Sequence, residues 1–264
     1  MHSVAALDSA EVPCVDILGV SMFAGDIPAA AALVRNACLG DDSRLPPRCV
    51  TATDAHGLVL AQTDKNLRDI LRNTFLTLPD GMPSVWLGQL KGARQMRRCY
   101  GPDFFAEILK ATRSDPGIGH YFCGGMPGVA NLLRTAAMDK FGNGNIVGTH
   151  CPPFRPLTDE ELLSLGRDID TVDAKIVWIG ISSPKQEKLA SALVNHCSAR
   201  FIITVGAAFD FHTGRVRQAP AWMQRAGLEW VFRLLMEPKR LYRRYLKVVP
   251  SFIFYAVRDI LRSY

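Results

Sequence analysis

Short apolar runs alternate with longer segments of helical periodicity from residue 15 to residue 206. The apolar runs predict strands at 15–20, 49–52, 75–78, 119–123, 146–148, 175–181 and 201–205. The segments between them predict helices at 28–39, 56–72, 104–112, 128–141, 159–169 and 184–195. Such alternation is typical of βαβ units. It predicts a Rossmann-like α/β fold with a mainly parallel, three-layer sheet and with ligands bound beyond the carboxyl ends of the strands.

The pattern changes near residue 225, where the alternation gives way to two helical segments separated by Pro238. In the second segment, a basic sector and an apolar sector lie about 120° apart. The basic sector contains Arg240, Arg243, Arg244 and Lys247, and the apolar sector contains Leu241, Tyr245, Val248 and Phe252. We therefore predict an α/β domain at 1–224 and an amphipathic helical appendage at 225–264.

Two interpretations fit the apolar sector of this appendage. Either it rests on a membrane surface, with Phe254, Tyr255 and Tyr264 as additional interfacial aromatics, or it packs on its own domain. If the apolar sector is a membrane-binding surface, it is exposed when no membrane is present. Such exposure favours self-association into a homo-oligomer.

Charge is concentrated in the same appendage. The chain has 264 residues, 48% of them hydrophobic, and a net charge of +6. From residue 225 onward there are nine Arg and Lys against three Asp and Glu, so this surplus of six equals the excess of the whole chain. A basic, aromatic terminal segment indicates an anionic lipid surface or a phosphate group as partner. The alternative is a nucleotide- or nucleic-acid-binding regulator with a basic tail, against which the apolar sector argues.

Cysteine usage and hydropathy indicate a cytoplasmic protein. The seven cysteines are scattered and form no CxxC pair, which is typical of reduced thiols and disfavours both disulfides and a zinc site. No run of 18 apolar residues predicts a membrane span, and Asp8, Glu11 and Asp16 stand where a secretory leader would be basic. Asp168 and Asp170 resemble a metal-binding acid pair, but we interpret them as a solvated helix end.

Several strand ends carry candidate chemistry. Leu78-Pro79-Asp80-Gly81 is either an ordinary turn or the position of a carboxylate that accepts a proton. The hydroxyl groups and the acid of the Thr51–Asp54 stretch could cap the following helix. Arg98 stands ahead of a tight turn and a helix start, which suits bidentate contact with phosphate, whereas Asp103 is expected to cap that helix.

Two further segments combine a strand end with a helix start. Gly124 and Gly125 allow either close approach of a ligand or tight backbone packing. Pro184 begins a helix whose first turn presents Lys185, Gln186 and Glu187 at the sheet edge.

Together with the stretch 202–245, these motifs resemble the WecG/TagA/CpsF family of bacterial glycosyltransferases over residues 15 to 248. The resemblance implies transfer of a sugar from a UDP-sugar to a polyprenyl-diphosphate-linked sugar at the inner face of the cell membrane. It implies Asp80 as the general base. The residues matching the donor-sugar pocket are Thr51, Thr53, Arg98, Gly124, Gly125, Gln186 and Asp210, and those matching the grip on the acceptor diphosphate are Arg233, Arg240 and Arg243.

The chain departs from the family pattern at two places. Thr53 stands where an asparagine is usual, and Ile181-Ser182 replaces a second glycine. The loss of the amide favours a glucosyl-type exopolysaccharide enzyme over an N-acetylmannosamine type. The expectation as a whole is an inverting hexosyltransferase that needs neither metal nor cofactor, binds no nucleic acid and associates peripherally with the membrane.

Overall fold

The central feature is a six-stranded, all-parallel sheet with strand order β4-β3-β8-β7-β5-β6. The computed structural model describes residues 12–40 and 45–263. Its strands are β1 Cys14–Ile17, β2 Val20–Phe23, β3 Arg48–Thr53, β4 Leu76–Pro79, β5 Gly119–Gly124, β6 Ile146–His150, β7 Ala174–Gly180 and β8 Phe201–Thr204. The predicted α/β class and the mainly parallel sheet are confirmed.

Helices follow most of these strands. They are α1 Ile27–Leu39, α2 Ala55–Ala61, α3 Lys65–Arg72, α4 Met82–Leu90, α5 Gly101–Ala111, α6 Val129–Phe141, α7 Asp159–Thr171, α8 Lys185–Leu193, α9 Ala208–His212, α10 Ala221–Arg225, α11 Glu229–Met236 and α12 Pro238–Ser263.

Helices cover both faces of the sheet because successive strand residues point to opposite sides. Ile176 and Trp178 of β7 pack into one cluster with α1, α5 and α6. The intervening Val177 and Ile179 pack into another cluster with α7 and α8. Both faces of β7 are therefore buried, as expected for a parallel sheet in a three-layer fold.

The first predicted strand, 15–20, is not part of the main sheet. It belongs to an antiparallel hairpin in which β1 pairs with β2. Leu18 and Gly19 form the turn with φ values of 56° and 79°. Two consecutive residues with positive φ are the signature of the tight hairpin turn that matches strand twist. The apolar run concealed this turn because Leu18 is itself apolar.

Three helix predictions need correction. The segment 56–72 is two helices, since Asp64 caps α3 by accepting the Leu67 N–H at 3.0 Å. Helix α4 was missed because its apolar residues show no clear helical period. Helix α5 begins at Gly101 with Pro102 in its first turn, so Asp103 lies exposed inside that turn and is not the cap.

Asp168 and Asp170 are exposed near the end of α7, which confirms their interpretation as a helix end.

The appendage packs against the body of the protein. Pro238 separates α11 from α12, as predicted. Leu241, Val248 and Phe252 are buried, the last two in a cluster shared with α2 and α3. The sector that we considered for membrane contact is thus the sector that packs on its own domain. The predicted boundary at 224/225 falls between the last two residues of α10, and Asp8, Glu11 and Tyr264 lie outside the described residues.

A different face of α12 is apolar and uncovered. This exposed stripe consists of Tyr242, Leu246, Val249, Ile253, Val257 and Leu261, which are 39% to 74% exposed. Its residues recur at helical spacing, so they lie along one side of α12. Among the residues that the structure describes, no helix is sufficiently long and apolar to span a bilayer.

Candidate active site

The carboxyl ends of neighbouring strands bring most of the candidate residues to one edge of the sheet. Thr51 and Thr53 end β3, Asp80 follows β4, Gly124 ends β5, and Gly206 follows β8. The edge of a doubly wound sheet at this end is the usual ligand site in such folds. The topology therefore brings these residues to the end of the sheet at which such folds bind ligands, and their contact with a substrate stays a prediction.

Asp80 is held in place from two directions. Its Oδ1 accepts the Gly101 N–H at 2.7 Å, so its side chain satisfies one of the free N–H groups at the start of α5. Its backbone N–H donates to the Thr53 carbonyl at 3.2 Å, which continues the pairing of β3 and β4. The carboxyl group is consequently oriented by the backbone, with Oδ2 left, among the described contacts, to meet a substrate.

Burial changes the acidity of this carboxyl group. It raises the pKa of Asp80 to about 7, a shift opposed by Arg98 and the Gly101 N–H and assisted by Asp54 and Glu229. A carboxylate with a pKa near neutrality is suited to accept a proton during a reaction and to release it afterwards.

Asp54 is the second carboxyl group at this edge. It caps α2 by accepting the Gly57 N–H at 3.0 Å, which confirms the predicted cap. Its charge also contributes to the raised pKa of Asp80. From the sequence, only the capping role of Asp54 was predicted.

Arg98 connects Asp80 to the appendage. Its Nε donates to the Asp80 carbonyl at 2.6 Å, and its Nη2 donates to Oε2 of Glu229 at 2.5 Å. Tyr100 Oη donates to Oε1 of the same glutamate at 2.6 Å. Two of the three guanidinium nitrogens of Arg98 are therefore engaged within the protein, and its role toward phosphate stays a prediction.

Thr51 and Thr53 are buried, each about 3% exposed. Thr51 Oγ1 lies 2.7 Å from Thr204 Oγ1 and 3.5 Å from Thr53 Oγ1, so the hydroxyl groups contact one another across β3 and β8. The structure places them beneath the edge of the sheet. Their contact with a donor sugar stays a prediction.

Gln186 is also buried and uses both ends of its amide. Its Oε1 accepts the Gly206 N–H at 2.9 Å, and its Nε2 donates to Oε1 of Glu187 at 2.9 Å. Glu187 Oε1 further accepts the Ser183 hydroxyl at 2.6 Å. Gln186 therefore fixes the loop after β8 to the start of α8, and its contact with the nucleotide or sugar stays a prediction.

The glycine turn after β5 is needed for close packing. Gly124 has a φ of 142°, and a Cβ there would lie 2.6 Å from the Gly180 carbonyl oxygen. The Gly125 N–H donates to the same carbonyl at 3.0 Å. The packing interpretation holds for Gly124, and the position of the turn at the sheet edge is compatible with the predicted donor site.

A cleft of about 500 Å³ separates this turn from the appendage. Its lining residues are Met126, Asp210, Arg215, Val216, Glu237 and Arg240. Asp210 lies 3.5 Å from Arg215 Nε, and Arg240 pairs with Glu237. Asp210 and Arg240 are thus brought together, although they were predicted for donor and acceptor respectively.

The other two predicted acceptor arginines have different surroundings. Arg233 is partly buried, and although burial acts to lower its pKa, neighbouring groups that include Tyr245, Tyr100 and Asp54 raise it. Arg243 is exposed and donates to Tyr242 Oη at 2.9 Å. Arg244 has a buried Nε without a hydrogen-bond partner among the described residues and acts electrostatically on His56. The inner side of the appendage therefore carries Arg233 and Arg244.

Sequence reasoning missed Tyr100, Glu229 and Arg244 as site residues. Glu229 is 131 residues from Arg98 along the chain, a separation that no local pattern spans. The available signal was its position as one of three acids in a strongly basic segment. Within the described residues, no three His, Cys, Asp or Glu side chains are grouped to hold a metal ion.

Comparison with known families shows which family the chain belongs to. The sequence model of the glycosyl transferase WecG/TagA/CpsF family matches residues 15–264, almost the entire chain. The chain belongs to this family. It is accordingly a glycosyltransferase of cell-surface polysaccharide synthesis, and the resemblance stated from the motifs is confirmed. Because the family match extends through α11 and α12, the appendage is part of the family unit.

Proposed function

We propose that this glycosyltransferase moves a hexose from a UDP-sugar to a polyprenyl-diphosphate-linked sugar with inversion at the anomeric carbon. One observation carries the proposal: a carboxyl group at the sheet edge, Asp80, is fixed by a backbone N–H and has a pKa raised to about 7. Inverting transfer needs one such group to remove the proton from the attacking hydroxyl.

In the proposed reaction, the acceptor hydroxyl oxygen attacks the anomeric carbon. The bond from that carbon to the UDP oxygen breaks, UDP leaves, and the hydroxyl proton passes to Asp80. Since Oδ1 of Asp80 accepts the Gly101 N–H, Oδ2 is the oxygen that receives the proton.

Charge on the diphosphates requires positive groups nearby. Arg240 lines the cleft beside Asp210, and Arg233 and Arg244 lie on the inner side of the appendage. We assign the donor nucleotide-sugar to the strand ends that carry Thr51, Thr53, Arg98, Gly124, Gly125, Gln186 and Asp210. Arg233, Arg240 and Arg243 are assigned to the acceptor diphosphate.

The lipid part of the acceptor requires the enzyme to work at a membrane. The exposed stripe of α12 offers an apolar surface, and Lys239, Arg243, Lys247 and Arg258 lie along its flank. Each basic residue near an anionic surface contributes about 1 kcal/mol, so this helix would hold the protein peripherally at the inner face of the membrane.

The test of this function is a donor panel. The protein is incubated with several UDP-sugars and a lipid-diphosphate sugar, and the product is identified by mass and by its anomeric configuration. The absence of the asparagine amide at Thr53 favours glucose over N-acetylmannosamine as the hexose. Failure of every UDP-sugar, or retention of configuration, would contradict the proposal.

The rival function, a regulator that binds nucleic acid through its basic tail, is tested in parallel. A nucleic-acid shift assay and flotation with anionic vesicles use the same protein at the same ionic strength. Flotation without a nucleic-acid shift supports the transferase, because the exposed stripe has no counterpart on nucleic acid. A shift without flotation would favour the regulator.

A further inference from the structure

Glu229 forms a polar contact between the appendage and the loop that joins α4 to α5. Its side chain is 12% exposed. Both carboxylate oxygens are used: Oε2 accepts from Arg98 Nη2 at 2.5 Å, and Oε1 accepts from Tyr100 Oη at 2.6 Å. Removing one partner of a buried charge pair leaves an uncompensated charge and is strongly unfavourable. The contact is therefore sensitive to any displacement of α11.

Arg98 transmits this contact to Asp80. Its Nε donates to the Asp80 carbonyl at 2.6 Å while its Nη2 holds Glu229. The guanidinium carbon also lies 4.0 Å from the centre of the Tyr100 ring. A planar guanidinium held at two edges and stacked on a ring has little freedom to rotate. The position of Glu229 therefore constrains the backbone at Asp80.

The helix that carries Glu229 is anchored on both sides by aromatic contacts. Trp86 of α4 packs against Gly227, where an added Cβ would lie 2.7 Å from the indole ring. Trp230 and Tyr245 pack with ring centres 5.6 Å apart, which joins α11 to α12. The Glu229 contact therefore lies within the packing that joins this part of the appendage to α4 and to α12.

We propose that Glu229 is a positioning residue for the transfer reaction: by binding Arg98 and Tyr100 it holds the backbone at Asp80, and with it the carboxyl group, in the reactive orientation. This inference rests on the proposed role of Asp80 as the base. It adds a function for the appendage besides binding the acceptor.

Glu229 also acts on the acidity of Asp80. The charged groups that face Asp80 are Arg98, Asp54 and Glu229. Two further titratable residues, Cys99 and Tyr100, lie on the same loop as Arg98. Burial is the main cause of the raised pKa of Asp80, and the charge of Glu229 raises it further. Replacing Glu229 by glutamine removes this negative charge and leaves Arg98 less neutralised. Both effects lower the pKa of Asp80.

The experiment compares Glu229→Gln with Asp259→Asn. Asp259 is a matched control because it is another appendage carboxylate that binds the body, accepting from Lys91 Nζ at 2.9 Å and from the Leu18 N–H at 3.1 Å. Glu229→Gln should lower kcat by about 100-fold, the cost of a misplacement of about 1 Å, with a smaller effect on KM. It should also move the acidic limb of the pH–rate profile to lower pH. Asp259→Asn should leave that limb in place.

A second variant and a second measurement keep the inference testable if Glu229→Gln folds poorly. Tyr100→Phe removes one donor to Glu229 and should lower kcat less, in the same direction. Carbon NMR of carboxyl-labelled aspartate reports the pKa of Asp80 without turnover, and it should fall in Glu229→Gln.

The outcomes separate this inference from the proposed function. If the wild-type protein transfers no sugar but the Asp80 pKa falls in Glu229→Gln, the proposed function fails while the coupling of Glu229 to Asp80 stands. If Glu229→Gln and Asp259→Asn give the same kcat and the same pH profile, Glu229 is only a structural contact and the inference is overturned.

Discussion

The two carboxyl groups at the ends of β3 and β4 show how surroundings decide the role of a residue. Asp54 accepts a helix N–H and caps α2, a role that its sequence position predicted. Asp80 is part of a turn-like Pro-Asp-Gly sequence, yet its side chain accepts an N–H from α5, 21 residues further along the chain. Local sequence predicts the first contact and does not reveal the second.

Asp80→Asn should raise the stability of the protein, most clearly at alkaline pH. The pKa of Asp80 is about 7 in the folded protein, above the ordinary value of 3.8. The folded state is therefore more stable when this carboxyl group is protonated than when it is ionised. That contribution is lost as pH rises through 7, whereas asparagine stays neutral and keeps an oxygen for the Gly101 N–H. The measurement is the melting temperature of both proteins at several pH values.

The difference in melting temperature should grow between about pH 4 and pH 7 and level off above that range. A difference that does not change with pH would show that the Asp80 carboxyl has an ordinary pKa.

Among the elements, the strands of the main sheet were the most predictable, because β-branched and aromatic runs between helical segments have few other interpretations. The hairpin was not predictable from hydrophobicity, since Leu18 takes a left-handed conformation that this residue rarely adopts. The backbone N–H of Leu18 donates to the carboxylate of Asp259 in α12 at 3.1 Å, a tertiary contact across 241 residues. The hairpin turn is thus held by the far end of the chain.

One buried polar network joins β5, β7, α5 and the loop after α6. Trp178 Nε1 donates to Nδ1 of His120 at 3.0 Å, so the proton of the neutral ring lies on Nε2. That nitrogen is 2.9 Å from Thr112 Oγ1, which donates to the Ile108 carbonyl. Burial lowers the pKa of His120 from 6.5 to about 3. The histidine is therefore neutral in the folded protein over most of the acidic range.

The free energy of unfolding should fall as the solution is acidified. Because the folded-state pKa of His120 is depressed, its contribution is present above the unfolded pKa of 6.5 and is lost as pH falls toward 3. In this pH range, His120 lowers the free energy of unfolding by about 1.4 kcal/mol for each pH unit of acidification. Urea unfolding of the wild type and of His120→Gln at several pH values measures it, and parallel curves would contradict the assignment.

The two sides of α12 should respond differently to mutation. Phe252 is 8% exposed and packs into the body, so Phe252→Ala should cost about 3 kcal/mol of stability. Phe254 is 62% exposed on the same helix, and Phe254→Ala should change stability by less than about 0.5 kcal/mol. Denaturant unfolding compares the two, and equal losses would show that the described orientation of α12 is wrong.

At the scale of the whole molecule, the charge distribution along the sequence predicted the basic appendage. The orientation of the appendage, however, could be determined only from the structure. Both apolar sides of α12 have helical spacing, and only the position of α2 and α3 decides which side is covered. The apolar sector considered for membrane contact, which includes Leu241, Val248 and Phe252, is the buried side. The residues left exposed, the stripe from Tyr242 to Leu261, were recognisable only after the packing was known.

Binding to anionic vesicles should depend on this exposed stripe and on salt. Replacing Leu246 and Ile253 together by serine should remove flotation without changing the melting temperature, since both side chains are exposed. Raising ionic strength should weaken binding of the wild type because the basic residues are screened. Leu132→Ser, at an exposed position of α6, is the matched control. Equal flotation of all three proteins would contradict membrane contact through α12.

The central claim, that Asp80 removes the acceptor proton, is tested most directly by single-turnover sugar transfer with wild type and Asp80→Asn, using the donor that the panel identifies. The account predicts that the variant folds but transfers about 10²- to 10⁴-fold more slowly, the usual contribution of general base catalysis. Transfer by Asp80→Asn within a few fold of the wild-type rate would contradict it.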